Sequence, residues 1–290
     1  MTKNHKNWGW LFVSPYIIGF LVFSLYPIVF SGYISFTDYD IFNPPKLVGL
    51  KNYINALNMP DLWMGFRNVF TYVLILETLQ ISIGCVLAVL LNHAIKGISA
   101  FRVMYFMPVL TPIVAVSFVW TYMYNPMYGV LNYLLDFIGL GPFKFTFSGN
   151  WFEVVASIAV MSAWKGVGYT TIYLLAGLQN ISTDVNEAAR IDGAGAVRKF
   201  FNITLPLLSP MIFFLVMKGV IDAMQVFDAF YVMQQSTGAN TTTIGTLIYN
   251  NAFEYSKFGL ASAIGWISFV VIAILTLIQK RAEKRWVYYE

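Results

Sequence analysis

Charge is what this chain has least of. Only 11% of its 290 residues are Asp, Glu, Lys or Arg, 58% are hydrophobic, and the mean hydropathy is +0.65. A soluble domain carries roughly a quarter charged residues, so a water-exposed globule is excluded and a bilayer is the implied solvent. Cysteine is almost absent: Cys85 is the single one, it lies inside an apolar run, and it reads as a packing residue with no intrachain disulfide to make. The two histidines, His5 and His93, fall at helix ends, and paired histidines, a His-Glu-x-x-His pattern and a nucleophile elbow are all missing. That removes the usual membrane-enzyme chemistries. No Gly-Lys dipeptide occurs, so the chain has no Walker A phosphate loop of its own. Gly/Ser linkers, low-complexity tracts and internal repeats are lacking too, which leaves one integral domain.

In their place stand long apolar runs. Crossing a hydrocarbon core takes about 20 residues of helix. Six runs are long enough, at approximately Trp8–Phe36, Asn68–Leu91, Val103–Tyr124, Val154–Leu178, Leu207–Val232 and Gly259–Gln279. The first is too long for a cleaved signal and lacks a small-x-small site, so it reads as a retained helix. Six crossings put both termini on one side. With the termini cytoplasmic, Lys3, Lys6, Lys96, Arg102, Arg190, Arg198, Lys199, Lys280, Arg281, Lys284 and Arg285 lie inside. Lys46, Lys51, Arg67, Lys144 and Lys257 lie outside, which satisfies the positive-inside rule. The sequence pI of 9.0 therefore reflects topology and calls for no nucleic-acid partner.

Three extracytoplasmic loops follow, at Thr37–Arg67, Asn125–Glu153 and Met233–Phe258, with the turn signals "NPPK", "GLGP" and "STGAN"; they are a docking face or connectors. Pro27 interrupts the first run, and Pro108 and Pro112 the third, predicting kinks where a helix is packed or gates a cavity. The segments are an N-terminal helix and loop (1–67), a core of five spans (68–280) and a basic tail (281–290) within reach of anionic lipid headgroups.

One cytoplasmic segment is unlike the rest. "DVNEAARIDGAGAVRKFFNITLPLLSP" starts with Asp184 placed to cap a helix and Glu187 three residues on, in the manner of a capping box. Ala188, Ala189, Arg190 and Ile191 continue it, and Gly193 supplies a left-handed stop. A second short helix over Ala194–Asn202 carries Val197, Phe200 and Phe201 on one side. The product is an amphipathic hairpin whose small apex lets another protein approach closely.

Glu187-Ala188-Ala189, Asp192-Gly193-Ala194, Ile203 and Leu205-Pro206 resemble the signature (EAA) loop, here 184–206, of permease subunits of ATP-binding-cassette importers. The phrases "GLKNY", "FMPVLTPIVAVSFVWTYMYNPMYGVLN", "AWKGVGYTTIYLLAGLQNIS" and "TTTIGTLIYNNAF" are similar to the maltose-type and glycerol-3-phosphate-type sugar permeases. The resemblance implies an all-α polytopic fold of six transmembrane helices, a type I ABC importer permease in a bacterial plasma or inner membrane. It implies that Glu187, Ala188, Ala189, Asp192, Gly193 and Ala194 couple to a separate ATPase. Two ATPase copies would bind ATP and Mg, a second permease would complete the path, and an extracytoplasmic solute-binding protein would deliver a sugar. This chain itself would hold no cofactor or metal and catalyse nothing.

Ionisable residues at bilayer depth are expensive and face a cavity or a partner. Glu77, Lys165, Lys218, Asp222 and Asp228 are such residues, and Lys218 and Asp222, one turn apart, can pair with each other. By resemblance to maltose-type permeases, Ser162, Trp164, Lys165, Gly166, Tyr169, Gly219, Asp222, Ala223, Gln225 and Val226 line the substrate path. The family pattern has uncharged amides where this chain has Asp222 and small residues. Lys165 opens an alternative substrate, glycerol-3-phosphate or another anionic polyol or acidic sugar. A different class, an ion-coupled secondary transporter, would use Glu77, Asp222 and Asp228 as a relay and leave the 184–206 segment without a purpose.

Overall fold

The structure is a computed structural model that describes residues 5–92, 97–125, 127–140, 151–237 and 241–288. Lys3, Lys96 and Lys144, given sides of the membrane above, and His93 lie outside those residues, as do the second half of "GLGP" and the end of "STGAN". Two compact units emerge: Met1–Trp63 with Leu247–Val270, and Met64–Thr246 with Val271–Glu290.

Along the chain, α1 (His5–Phe20), a π-helical turn (Leu21–Leu25) and α2 (Tyr26–Ile34) form one apolar rod. Pro27 does not interrupt it. The π turn just before Pro27, with the Tyr26 N–H bonded to the Leu21 carbonyl, accommodates a residue that has no N–H to give. A two-stranded antiparallel hairpin follows, β1 (Thr37–Asp38) against β2 (Lys46–Leu47), with Thr37 opposite Leu47. Asp40 closes its turn by accepting from the Asn43 backbone and side-chain N–H groups, each at 2.8 Å. From α3 (Lys51–Asn58), Asn52 donates to the carbonyls of Ser35 (3.0 Å) and Thr37 (2.8 Å), so the first outside loop is a folded unit.

The long helix α4 (Pro60–Leu91) is followed by α5 (Ile98–Leu110) and α6 (Ile113–Met123), then by α7 (Val130–Phe137) and α8 (Trp151–Asn180). After α8 come α9 (Thr183–Ile191), α10 (Ala196–Lys199), a π turn (Phe200–Thr204), α11 (Leu205–Leu207) and α12 (Ser209–Met224). The chain continues through α13 (Asp228–Thr237), α14 (Ile244–Tyr249), a last π turn (Asn250–Glu254) and α15 (Phe258–Trp286).

Among the described residues three helical stretches are long and apolar enough to cross a bilayer: Trp10–Ile34, Pro60–Leu91 and Phe258–Trp286. Two bent pairs bring the number to five: α5 with α6, turned by 97°, and Ala196–Leu207 with α12, turned by 64°. The remaining run, α8, is 30 residues, about 45 Å of helix, but Lys165 and its Ser, Thr, Tyr and Gly residues dilute its apolar content.

Two of the six expected runs need correction. The third is a sharp elbow: Pro112 lacks the N–H that would continue α5, and Thr111 before it is extended, as a residue preceding proline prefers. The fifth stops at Met224 instead of Val232. The Thr243 hydroxyl takes up the Val226 carbonyl at 3.3 Å, and Asp228 opens the first turn of α13, where a carboxylate is favoured by the helix dipole. Met233–Phe258, expected as a loop, is largely helical because Thr243 and Thr246 cap each other's backbone at the start of α14.

The second unit closes on a core of Cys85, Ala88 and Leu91 from α4, Leu174, Leu175 and Leu178 from α8, and Leu208 and Leu215. Cys85 is a buried packing residue, as its surroundings in the sequence predict.

Candidate functional site

Two places in the second unit hold the residues singled out from the sequence. The first is the hairpin between α8 and α12. Its start is two residues earlier than predicted: Ser182, not Asp184, caps α9, its hydroxyl accepting the Val185 N–H at 3.3 Å. Ser182 is the residue just before the first helical one, which is where a cap must stand, and Asp184 falls in the first turn, where its charge suits the helix dipole. The end is as predicted. Gly193 has φ +70, and the Ala194 N–H reaches back to the Ala189 carbonyl at 3.0 Å, a Schellman closure that only glycine adopts at low cost. Ala189 is buried under this turn.

Glu187, Ala188, Asp192 and Gly193 are exposed, and Ala194 is half-buried. The side chain of Arg190 lies outside the described residues. The hairpin also exposes three large apolar side chains, Ile191 (86%), Val197 (73%) and Phe201 (58%). Ile191 stands beside the glycine turn at the end of α9, and the described residues leave it almost uncovered.

The second place is where α4, α8 and α12 converge. On α12 Lys218 pairs with Asp222 one turn on, and both side chains stay partly exposed. The Lys218 ammonium stands 5.3 Å above the ring of Tyr169 on α8, and Tyr169 packs against Tyr173 with ring centroids 4.6 Å apart. Gly219 lies directly against the Glu77 carboxylate of α4, so closely that a β-carbon there would make the Glu77 side chain move. One turn along α4, Gln80 lies in the same way over Gly166 of α8. Its amide donates to the Ser162 carbonyl (3.4 Å) and accepts from the Thr170 hydroxyl (3.3 Å). The small residues expected to leave space for a substrate are thus notches that admit two polar side chains of α4. Gln80 was not singled out from the sequence; its amide in an apolar run, three residues after Glu77, was the available signal.

The other path residues point elsewhere. Lys165 donates to the Val109 carbonyl at 3.2 Å, one of the acceptors freed where α5 breaks before Pro112. A cation there satisfies an orphan carbonyl and suits the negative end of the helix. Trp164 packs on Trp120 of α6, ring centroids 5.4 Å apart. Gln225 is exposed and donates to its own helix at the Ile221 carbonyl (3.0 Å), Ala223 is buried, and Val226 sits in the break after α12. Ser162, Gly166, Tyr169, Gly219 and Asp222 therefore gather with Glu77 and Gln80, whereas Trp164, Lys165, Gln225 and Val226 do not join them through any of these contacts. Among the described residues no three His, Cys, Asp or Glu side chains cluster as a metal site.

Residues 80–288 match the family model described as "Binding-protein-dependent transport system inner membrane component". A probable ABC transporter permease protein YesP of Bacillus subtilis (strain 168) is 36% identical, over 97% of this chain and 92% of its own length. The trehalose/maltose transport system permease protein MalF of Thermococcus litoralis is 32% identical, over 93% of this chain and 91% of its own. Among solved structures, a chain of a bacterial alginate ABC transporter in complex with an alginate pentasaccharide-bound periplasmic protein superposes with a TM-score of 0.82. That chain is 22% identical, with 97% of this chain and 96% of that one covered, a likeness of fold.

Proposed function

The chain belongs to the binding-protein-dependent transport system inner membrane component family, and on that premise we propose that it is the permease subunit of an ATP-driven importer of sugars, oligosaccharides foremost. It is a multi-pass membrane protein of a bacterial cell membrane with both termini in the cytoplasm. It forms half of the translocation path with a second permease, receives sugar from an extracytoplasmic binding protein, and hydrolyses nothing itself. Two ATP-binding-cassette subunits bind ATP and Mg and supply the energy.

The observation that carries this reading is the hairpin: a rigid, capped turn with small residues at its apex and Ile191 almost fully exposed beside it. An apolar side chain held out on a closed turn is suited to a cleft in another protein. There, Glu187 and Asp192 fix register by charge while the backbone at Gly193 approaches closely. Closure of the ATPase pair would push on this hairpin and, through α12, on the Lys218–Asp222 pair and the wall formed by α4 and α8. Relatives named as sugar permeases support sugars as cargo, and the tyrosine pair beside polar groups suits the C–H faces and hydroxyls of a sugar ring. No observation favours the alternatives. Lys165 donates to the Val109 carbonyl and Asp222 is paired with Lys218, so both already have a partner within this chain.

The test is ATP-dependent uptake of labelled oligosaccharides into vesicles containing this chain and its co-purifying subunits, native against Glu187→Ala with Gly193→Pro. Loss of uptake and of substrate-stimulated ATPase with the two permeases still assembled supports the reading. Uptake that needs no ATP and ignores the substitutions overturns it.

A further inference from the structure

The hairpin has two roots, the end of α8 and the start of α12, and a third element lies against them. The return limb Ala196–Leu207 meets α12 at a bend of 64°, with Leu208 at the corner. A push on the return limb reaches α12 through this corner. A free corner would flex and absorb the push, so the corner has to be braced.

The last residue of α15 and the segment just after it lie at that position. The Tyr288 backbone N–H donates to the Ser209 hydroxyl at 2.9 Å, and Ser209 is the first residue of α12 and buried. One turn further along α12, the ring of Phe213 meets that of Trp286 edge to face, centroids 6.0 Å apart. The two contacts are spaced i, i+4, so they lie on the same face of α12. Beside them is a small cavity walled by Gly177 and Asn180 of α8, Ile181 just after it, Leu207 and Pro210 at the bend, and Tyr288 itself. Gly177 allows the two roots to touch, since a β-carbon there would lie 2.9 Å from the Leu208 side chain.

We propose that Trp286 and Tyr288 are positioning residues for energy coupling: they clamp the first turn of α12 so that the hairpin and the fifth span move as one lever. This rests on the importer reading above. It adds that the segment after the last span acts on transport through Ser209 and Phe213. The clamp touches the first turn of α12, and Tyr288 also borders the cavity walled by Gly177 and Asn180 of α8, so it lies against both roots of the hairpin. Energy passing between distant sites requires such an element with a defined arrangement that both sites bias.

The test measures ATP hydrolysed per sugar imported, with the full complex reconstituted in vesicles, for native protein, Ser209→Ala, Trp286→Ala and the double variant. A clamp predicts that uptake falls roughly threefold or more while assembly and ATPase turnover are kept, so that ATP spent per sugar rises. It also predicts that the double variant is little worse than either single one, because both act on one corner. Tyr288→Pro, which removes the donated N–H, should behave like Ser209→Ala, and Tyr288→Phe like native protein. Unchanged ATP per sugar in the double variant overturns the clamp and leaves the importer reading standing. The clamp is equally overturned if uptake, ATPase and recovered complex all fall in parallel, since the contacts would then only hold the fold. Native vesicles that import no sugar with ATP contradict the importer reading itself, a result distinct from both.

Discussion

The hairpin between α8 and α12 and the polar wall where α4, α8 and α12 converge both carry charged residues, which are scarce in this chain, yet they are held in opposite ways. In the hairpin every backbone bond that fixes the shape is local: Ser182 to Val185, Ala194 to Ala189, and the left-handed Gly193 between. Glu187, Asp192 and Ile191 are left exposed. In the wall, apart from the Lys218–Asp222 pair, positions are fixed by partners far along the chain: Gln80 by Ser162 and Thr170, and Glu77 by the notch at Gly219; Lys165, on the same α8 but outside the wall, is likewise held by distant Val109. An element that must fit a second protein keeps its surface free and stores its geometry in the backbone. An element immersed in lipid must satisfy its polar groups inside the chain, because nothing around it can.

That contrast gives ways to break it. The largest effect is expected at Gly193. Gly193→Val forces a β-branched residue to φ +70 at a cost of roughly 1–3 kcal/mol, and should lower ATP-driven uptake about tenfold or more, read in the same vesicles. The spans should still fold, which the yield of assembled complex checks. Next comes Gly219→Val, which drives a side chain into the Glu77 carboxylate. It should destabilise the purified complex by roughly 1–3 kcal/mol, seen as a lower thermal midpoint in detergent. Glu77→Ala should restore part of the loss, because the two positions share one space.

A smaller effect is expected at Gln80. Gln80→Leu removes both bonds to α8 and should cost about 1 kcal/mol by the same thermal measurement, in line with polar contacts between membrane helices. The smallest is at Lys165. Lys165→Met frees the Val109 carbonyl and should lower stability by about 0.5–1 kcal/mol without changing the KM for sugar. A KM raised severalfold would instead make Lys165 a substrate ligand.

The same contrast explains what could be read from the sequence. The glycine stop at Gly193 was legible, since a left-handed residue closing a helix has a local signature, and the cap was misplaced by only two residues. The apolar runs were legible as well, because lipid imposes their length. The elbow at Thr111–Pro112 was visible as proline but not as a turn of 97°, since its angle depends on what α8 offers the freed carbonyls. The break after Met224 was hidden, because Gln225, Val226 and Phe227 contain no breaker and Thr243, which takes the Val226 carbonyl, lies 17 residues away. Gln80 was hidden for the same reason: an amide in an apolar run says that it needs partners but does not name them.

The central claim is that the free surface of the hairpin belongs to a second protein, and cross-linking tests it most directly. A photoreactive residue at Ile191, in the complete importer, should attach to the ATPase subunit, with a yield that changes when ATP is added, while the same residue at Trp164 should not reach it. Equal and ATP-independent labelling from both positions, or labelling of lipid alone from position 191, would contradict the account.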